Sequence, residues 1–286
     1  MKENTFLILG GDNRSVYLGE YLEKQGLRVC YYAFNHTDCF DSLKEAINEA
    51  ECIILPLPVT RDRITLNTPL FDEKIALSDI YAAASADKLF FGGQIPKGFC
   101  EELDARKCSY YDYFLMPEIA VYNAVPTAEG VLEILFRELP VTVHDMKCAV
   151  LGYGKVGKVL SLTLKNVGAD VTVFARKAED FADIRTKSMT PGEYKELSAS
   201  PQHYDAIINT VPTEVLGRDE LKNINSDCLL VEIASAPFGI DFQAAKELAL
   251  QVIKAGSLPG KTAPKTAGFI IGRSILPIIQ ARGLIN

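Results

Sequence analysis

The chain has 286 residues, of which 48% are hydrophobic and 23% charged, with a net charge of −7; these are the proportions of a globular protein long enough for two domains. The acidic balance and the lack of a basic run argue against nucleic acid as a partner, and no stretch approaches the roughly 20 apolar residues needed to span a bilayer. Seven cysteines contain no CxxC pair, and none of the three histidines is paired at ligand spacing, so neither a disulfide framework nor a metal site is expected. The N-terminus has no apolar signal core, which makes the cytoplasm the expected location.

In chain order, short apolar strands alternate with amphipathic helices. Residues 5–10 read as a buried strand, 15–25 as a helix closed by Gly26, 28–34 as a strand, 41–50 as a helix and 52–57 as a third strand. A polar loop from Pro58 carries Arg61 and Arg63, read as surface charge. Residues 75–86 and 97–106 read as helices, and 88–93 and 110–116 as strands. A connecting helix is expected to begin at Pro126, a residue suited to a first helical turn, and to run on through 131–139. The second half repeats the plan, with strands at 148–152, 170–174, 205–211, 228–233 and 251–255 and helices at 155–167, 241–250 and 265–280. The alternation predicts an α/β protein of two doubly wound Rossmann-like domains with a cleft between them. The expected divisions are 1–122, a connector at 123–145, a dinucleotide domain at 146–264, and a last helix from 265 that returns to the first domain.

The sharpest motif is Gly152-Tyr153-Gly154-Lys155-Val156-Gly157, a GxGxxG between a buried strand and an amphipathic helix. In that context the first glycine allows a tight turn, the second lets backbone approach a pyrophosphate, and the third packs helix against strand. The helix N-terminus then offers N–H groups and a partial positive charge to the phosphates. The next strand ends in Ala175-Arg176-Lys177, without the carboxylate that would bind a ribose 2′-hydroxyl. Two cations there suit a 2′-phosphate, so the expected cofactor is NADP(H). Thr210-Val211-Pro212 and Ala234-Ser235 end later strands and are expected on the nicotinamide side, beyond the carboxyl ends of the sheet.

The first half opens with Gly10-Gly11-Asp12-Asn13-Arg14, a related turn that lacks GxGxxG and is expected not to bind the dinucleotide. Substrate contacts are expected from Arg14, from Thr127 at the connecting helix start, and from the stretch at 256–268, which offers Ser257, Lys261 and Thr266. For an acid–base group the sequence offers Glu129, whose place at a helix start the helix dipole also explains, and Lys265, if burial tunes it. His144 precedes the glycine-motif strand, at the wrong end of the sheet.

LGGDNR (residues 9–14), NAVPTAEG (123–130), VLGYGKVG (150–157), VEIASAPFGID (231–241) and GSLPGKTAPKTAG (256–268) together resemble the family of dipicolinate synthase A subunits across nearly the whole chain. Departures from the pattern gather around 74–105. The resemblance implies NADP-dependent oxidation of dihydrodipicolinate, a small dicarboxylate, to pyridine-2,6-dicarboxylate during sporulation. It further implies the flavoprotein-like B subunit of dipicolinate synthase as partner, in the cytoplasm of the mother cell; a homo-oligomer is also compatible. Two other readings stay open: a dehydrogenase of the 2-hydroxyacid or alanine type, for which a well-placed histidine is missing, and a non-catalytic NADP(H)-binding regulatory or scaffold subunit.

Overall fold

The computed structural model describes residues 4–35, 39–199 and 202–285. The chain divides into two compact units, residues 1–122 with 263–286, and residues 123–262.

In the first unit the elements are β1 (Thr5–Leu9), α1 (Asn13–Lys24), β2 (Arg28–Tyr32), α2 (Leu43–Glu49), β3 (Cys52–Ile54), α3 (Leu77–Ala83), β4 (Leu89–Gly92), α4 (Lys97–Ala105) and β5 (Ser109–Asp112). They form a five-stranded sheet of order β2-β1-β3-β4-β5, in which every pairing is parallel. β1 and β4 are buried along their whole length, which is why they read as unbroken apolar runs: helices cover both faces of a parallel sheet. The expected strand at 110–116 is shorter, because Asp112 caps a 3-10 turn at Tyr113–Leu115 by accepting the Phe114 N–H.

α5 (Pro117–Glu138) is continuous over 22 residues, so the connecting helix does not begin at Pro126. Pro117 takes the first-turn position, and Pro126 lies inside the helix. Thr127 and Glu129 are accordingly mid-helix, and the helix-start dipole argument for Glu129 lapses. α5 is also the exception to the expected lack of a membrane-length segment: by length and composition it is long and apolar enough to cross a bilayer. Its Ala128, Val131, Ile134 and Leu135 are buried in the core of the second unit.

The second unit continues with β6 (Lys147–Leu151), α6 (Lys155–Asn166), β7 (Asp170–Ala175), α7 (Ala178–Thr186), β8 (Thr190–Glu193), α8 (Lys195–Ala199), β9 (Ala206–Asn209), α9 (Arg218–Leu221), β10 (Leu229–Glu232), α10 (Phe242–Glu247), β11 (Val252–Lys254) and α11 (Leu258–Thr262). Its six parallel strands have the order β11-β10-β9-β6-β7-β8. From the β8 edge this is the third, second, first, fourth, fifth and sixth strand of the unit, the Rossmann arrangement whose switch point lies between β6 and β9. The segment from 176 to 204, which carries no strand-like pattern, holds α7, β8 and α8.

α12 (Pro264–Ala281) closes the chain and packs on α1 within the first unit. The contact is close because Gly268 and Gly272 lack side chains: a β-carbon on Gly268 would lie 2.4 Å from the Arg14 carbonyl oxygen, and one on Gly272 2.4 Å from the Tyr21 ring.

Candidate functional site: a glycine turn on the Rossmann unit

β6 ends at Leu151 and the chain turns sharply into α6. Gly152 has φ +100°, and a β-carbon there would meet the Thr210 hydroxyl at 2.5 Å. A β-carbon on Gly157 would sit 2.1 Å from the Gly152 carbonyl oxygen, so helix and strand touch there. Gly154 differs: it is exposed, and a β-carbon would meet nothing within 4 Å. The first and third glycines therefore serve the fold, and the second faces open space. Gly154 is the N-cap of α6 and provides no side-chain hydrogen bond. Because the N-cap residue is a glycine, no side chain stands between the first turn of α6 and an incoming phosphate.

Tyr153 is 6% exposed and braces the turn against α7. Its hydroxyl donates to Asp183 at 2.9 Å, and the Lys187 ammonium lies 3.2 Å from the hydroxyl and 2.7 Å from Asp183. Lys158 lies 4.9 Å from the ring centroid. Burial, more than any neighbour, pushes the Tyr153 hydroxyl up. Lys187, by donating a hydrogen bond, holds the Asp183 carboxyl below its ordinary value.

On the other side of the switch point, Thr210 donates from both its backbone N–H and its hydroxyl to the Leu151 carbonyl, at 3.0 and 2.8 Å. Val211 N–H donates to the Asn209 side chain at 3.0 Å, and Pro212 is exposed. The loops after β9 and β10 are tied together by Glu232, which is 1% exposed. Its carboxylate accepts from Asn209 Nδ2 at 2.9 Å, Ala234 N–H at 2.8 Å, Gly239 N–H at 2.8 Å and Ile240 N–H at 3.1 Å. That network holds Thr210–Pro212 and Ala234 in place, with Ser235 exposed beside them. Glu232 ends a strand whose run is otherwise apolar, and that is the one sequence signal for its role.

Ala175 ends β7 buried, and Arg176 and Lys177 are exposed. The Arg176 guanidinium lies 5.4 Å from the Tyr194 ring centroid. Both line a cavity of about 390 Å³ with Lys195, Ser198, Glu214 and Val215. Lys177 heads α7 and pairs with Glu179 at 3.3 Å. Tyr194, Lys195 and Ser198 have no counterpart in the sequence expectations, because their strand and helix carry no readable pattern.

The remaining expected residues fall in both units. In the first, Arg14 is 7% exposed; its guanidinium binds Asp12 on both carboxylate oxygens and donates to the Leu57 carbonyl. Lys265 and Thr266 are exposed in the first turn of α12, with the Lys265 ammonium 5.9 Å from the Tyr17 ring centroid. The burial on which a base role for Lys265 depends is not supplied by its own unit. In the second unit, the Thr127 hydroxyl donates to the Asn123 carbonyl at 2.6 Å, Glu129 is exposed, and Ser257 and Lys261 are exposed around α11. The glycine turn and the loops after β7, β9 and β10 thus come together at the carboxyl end of the second unit's sheet.

The fold and this turn define the class: a two-unit, Rossmann-type protein with a dehydrogenase-like fold and a glycine turn of the dinucleotide-binding pattern. Residues 5–114 match the model of the N-terminal domain of the dipicolinate synthase A subunit, and residues 142–255 match that of the acetohydroxy acid isomeroreductase NADPH-binding domain. The chain is 30% identical to the A subunit of dipicolinate synthase from Bacillus subtilis (strain 168), over 96% of each chain, and it belongs to the family of dipicolinate synthase A subunits. Two solved structures are similar to it. The dipicolinate synthase A subunit from Bacillus halodurans is 26% identical with a TM-score of 0.88, covering 96% of this chain and 97% of that one. The corresponding structure from Bacillus subtilis is 27% identical with a TM-score of 0.86, covering 99% and 98%. An L-alanine dehydrogenase at 14% identity and TM-score 0.66, covering 98% of this chain and 91% of that one, shares the fold.

Proposed function

We propose that this chain oxidises dihydrodipicolinate to dipicolinate with NADP+ as hydride acceptor. The observation that carries the proposal is the likeness to the dipicolinate synthase A subunit along 96% of both chains. The open space at Gly154, the side-chain-free N-cap of α6, supports it. NADP rather than NAD is favoured by Ala175-Arg176-Lys177, where a carboxylate would repel a 2′-phosphate, and by the match to a domain described as NADPH-binding.

When bound, NADP+ would supply the hydride acceptor, and the one proton lost as the substrate ring becomes aromatic would be left for a group of the chain or water to take. The chain's own work is positioning. The first turn of α6 holds the pyrophosphate, with Tyr153 steadying the approach. Thr210, Val211, Pro212, Ala234 and Ser235 flank the nicotinamide side, and Glu232 fixes the loops that carry them. Arg14, Thr127, Ser257, Lys261 and Thr266 are the proposed donors to substrate carboxylates, and Glu129 or Lys265 the proton acceptor. The flavoprotein-like B subunit is the proposed partner, in the mother-cell cytoplasm of a sporulating bacterium. The exposure of both Glu129 and Lys265 favours the second reading, a protein that binds NADP(H) without catalysing.

Turnover separates the two. Dihydrodipicolinate and NADP+ are given to the purified chain, alone and with its partner, against a chain-free control. The proposal expects NADPH to accumulate with the chain alone. That result rejects the non-catalytic reading, and no turnover with either preparation rejects the dipicolinate assignment.

A further inference from the structure

We propose that Lys195, and not Lys177, is the second cation that, with Arg176, selects the 2′-phosphate of the cofactor. The inference rests on the NADP reading above and assigns the residues that execute it. Arg176 and Lys177 are neighbours in sequence, but the chain separates their side chains. Lys177 lies at the N-cap of α7 and is absent from the lining of the cavity beside Arg176; its exposed pair with Glu179 does not distinguish it from Lys195. Lys195 opens α8, directly after the edge strand β8, and lines that cavity with Ser198. β8 pairs in parallel with β7, with Ala175 opposite Glu193. The pairing brings the residues following each strand, Arg176 and Lys195, to the same end of the sheet, beyond the carboxyl ends where a dinucleotide's ribose lies.

Tyr194 is the positioning residue. Its hydroxyl donates to the Phe174 carbonyl at 3.3 Å, which anchors the ring, and the Arg176 guanidinium lies over that ring at 5.4 Å. A guanidinium attracted to an aromatic face at this distance is restrained near the ring while its N–H groups stay available for a phosphate. Lys195 is paired with Glu193 at 2.7 Å, with side chains 76% and 49% exposed; a pair this open to water is weakly held and yields to a phosphate carrying a larger charge. Glu214 and Glu220 are on the β9 side of the cavity, and Glu220 caps α9 by accepting the Gly217 N–H at 3.1 Å. These carboxylates repel a phosphate and leave it the Arg176–Lys195 side.

The test uses the full chain and two probes that differ only in the 2′-phosphate, 2′,5′-ADP and 5′-AMP, with binding read by calorimetry. Lys195→Ala and Arg176→Ala are each expected to weaken 2′,5′-ADP about tenfold or more, the loss of one charge-assisted contact, and to leave 5′-AMP within about twofold. Lys177→Ala is expected to leave both probes within about twofold. Tyr194→Phe keeps the ring and is expected to retain the preference that Tyr194→Ala loses. Loss of 2′,5′-ADP binding in Lys177→Ala with Lys195→Ala unaffected overturns the proposal and leaves the NADP reading standing. Equal affinity of the unaltered chain for the two probes overturns both. Lys195 and Lys177 are surface residues, so a thermal melt of each variant matching that of the unaltered chain confirms that binding is what changed.

Discussion

At the scale of single residues, the informative positions are those where a polar group is buried and fully engaged. Glu232 receives backbone N–H donors from the loop after β10 and the side-chain amide of Asn209 at the end of β9 while almost wholly buried. Glu232→Gln replaces one acceptor oxygen by an NH2 group that faces donors. The expected cost is about 2–4 kcal/mol of stability, the range for breaking a buried, charge-assisted network, read as a lower denaturation midpoint of the full chain. An unchanged midpoint would show the network to be dispensable. The Asp183–Lys187–Tyr153 cluster makes a pH prediction. Asp183 is held low chiefly by the hydrogen bond from Lys187, so its contribution is complete above the unfolded value of about 3.9 and is lost as pH falls through the lower folded value. Lys187 is held high chiefly by Asp183, so its contribution is complete below about 10.4 and is lost as pH rises through the raised folded value. The brace is therefore constant across neutral pH. Titration of the Asp183 carboxyl carbon by NMR should give a midpoint below the ordinary one, moving back towards it in Lys187→Met; a midpoint indifferent to that substitution contradicts the account.

At the scale of elements, glycines separate fold from function. Gly154→Ala places a methyl in open space on backbone at φ −80°, so stability should hold while NADPH affinity falls about tenfold, because the methyl occupies the pyrophosphate approach. Gly268→Ala does the reverse. Helix propensity alone favours alanine by about 1 kcal/mol, but the new carbon meets α1 backbone at 2.4 Å, and overpacking of about 1–3 kcal/mol or more should leave the first unit destabilised with NADPH binding intact. Equal effects of the two substitutions on melting temperature would refute this division. The same elements show what is legible in the sequence. β1, β6 and β9 are buried on both faces and announce themselves as apolar runs, and GxGxxG declares its turn. β8 does not: it is an edge strand reading Thr-Pro-Gly-Glu, where proline is tolerated because one side needs no ladder partner. Without β8, Tyr194 and Lys195 have no place, and half of the lining of the cavity beside Arg176 stays hidden. α5 misleads for a different reason. Pro117 and Pro126 both suit a first turn, and only packing reveals that the helix runs through the second; Thr127, bonding the Asn123 carbonyl, lies just beyond it.

At the scale of the whole molecule, the two units are each an α/β fold on a parallel sheet and differ in their strand order and first turn. The second has the Rossmann strand order and an open glycine turn; the first keeps the sheet but closes its own turn with the Asp12–Arg14 pair. Family membership fixes the setting, and the proposed chemistry asks the chain mainly to align a dicarboxylate ring with a nicotinamide. Because aromatisation runs downhill, product alone is weak evidence, and the coupling between the two products is the decisive quantity. The most direct measurement is anaerobic: dihydrodipicolinate and NADP+ are mixed with the purified chain, and dipicolinate and NADPH are quantified together over time against a chain-free control. The account predicts that both appear in equal amounts, at a rate proportional to the chain added. Dipicolinate forming without NADPH, or no faster than in the control, would contradict it.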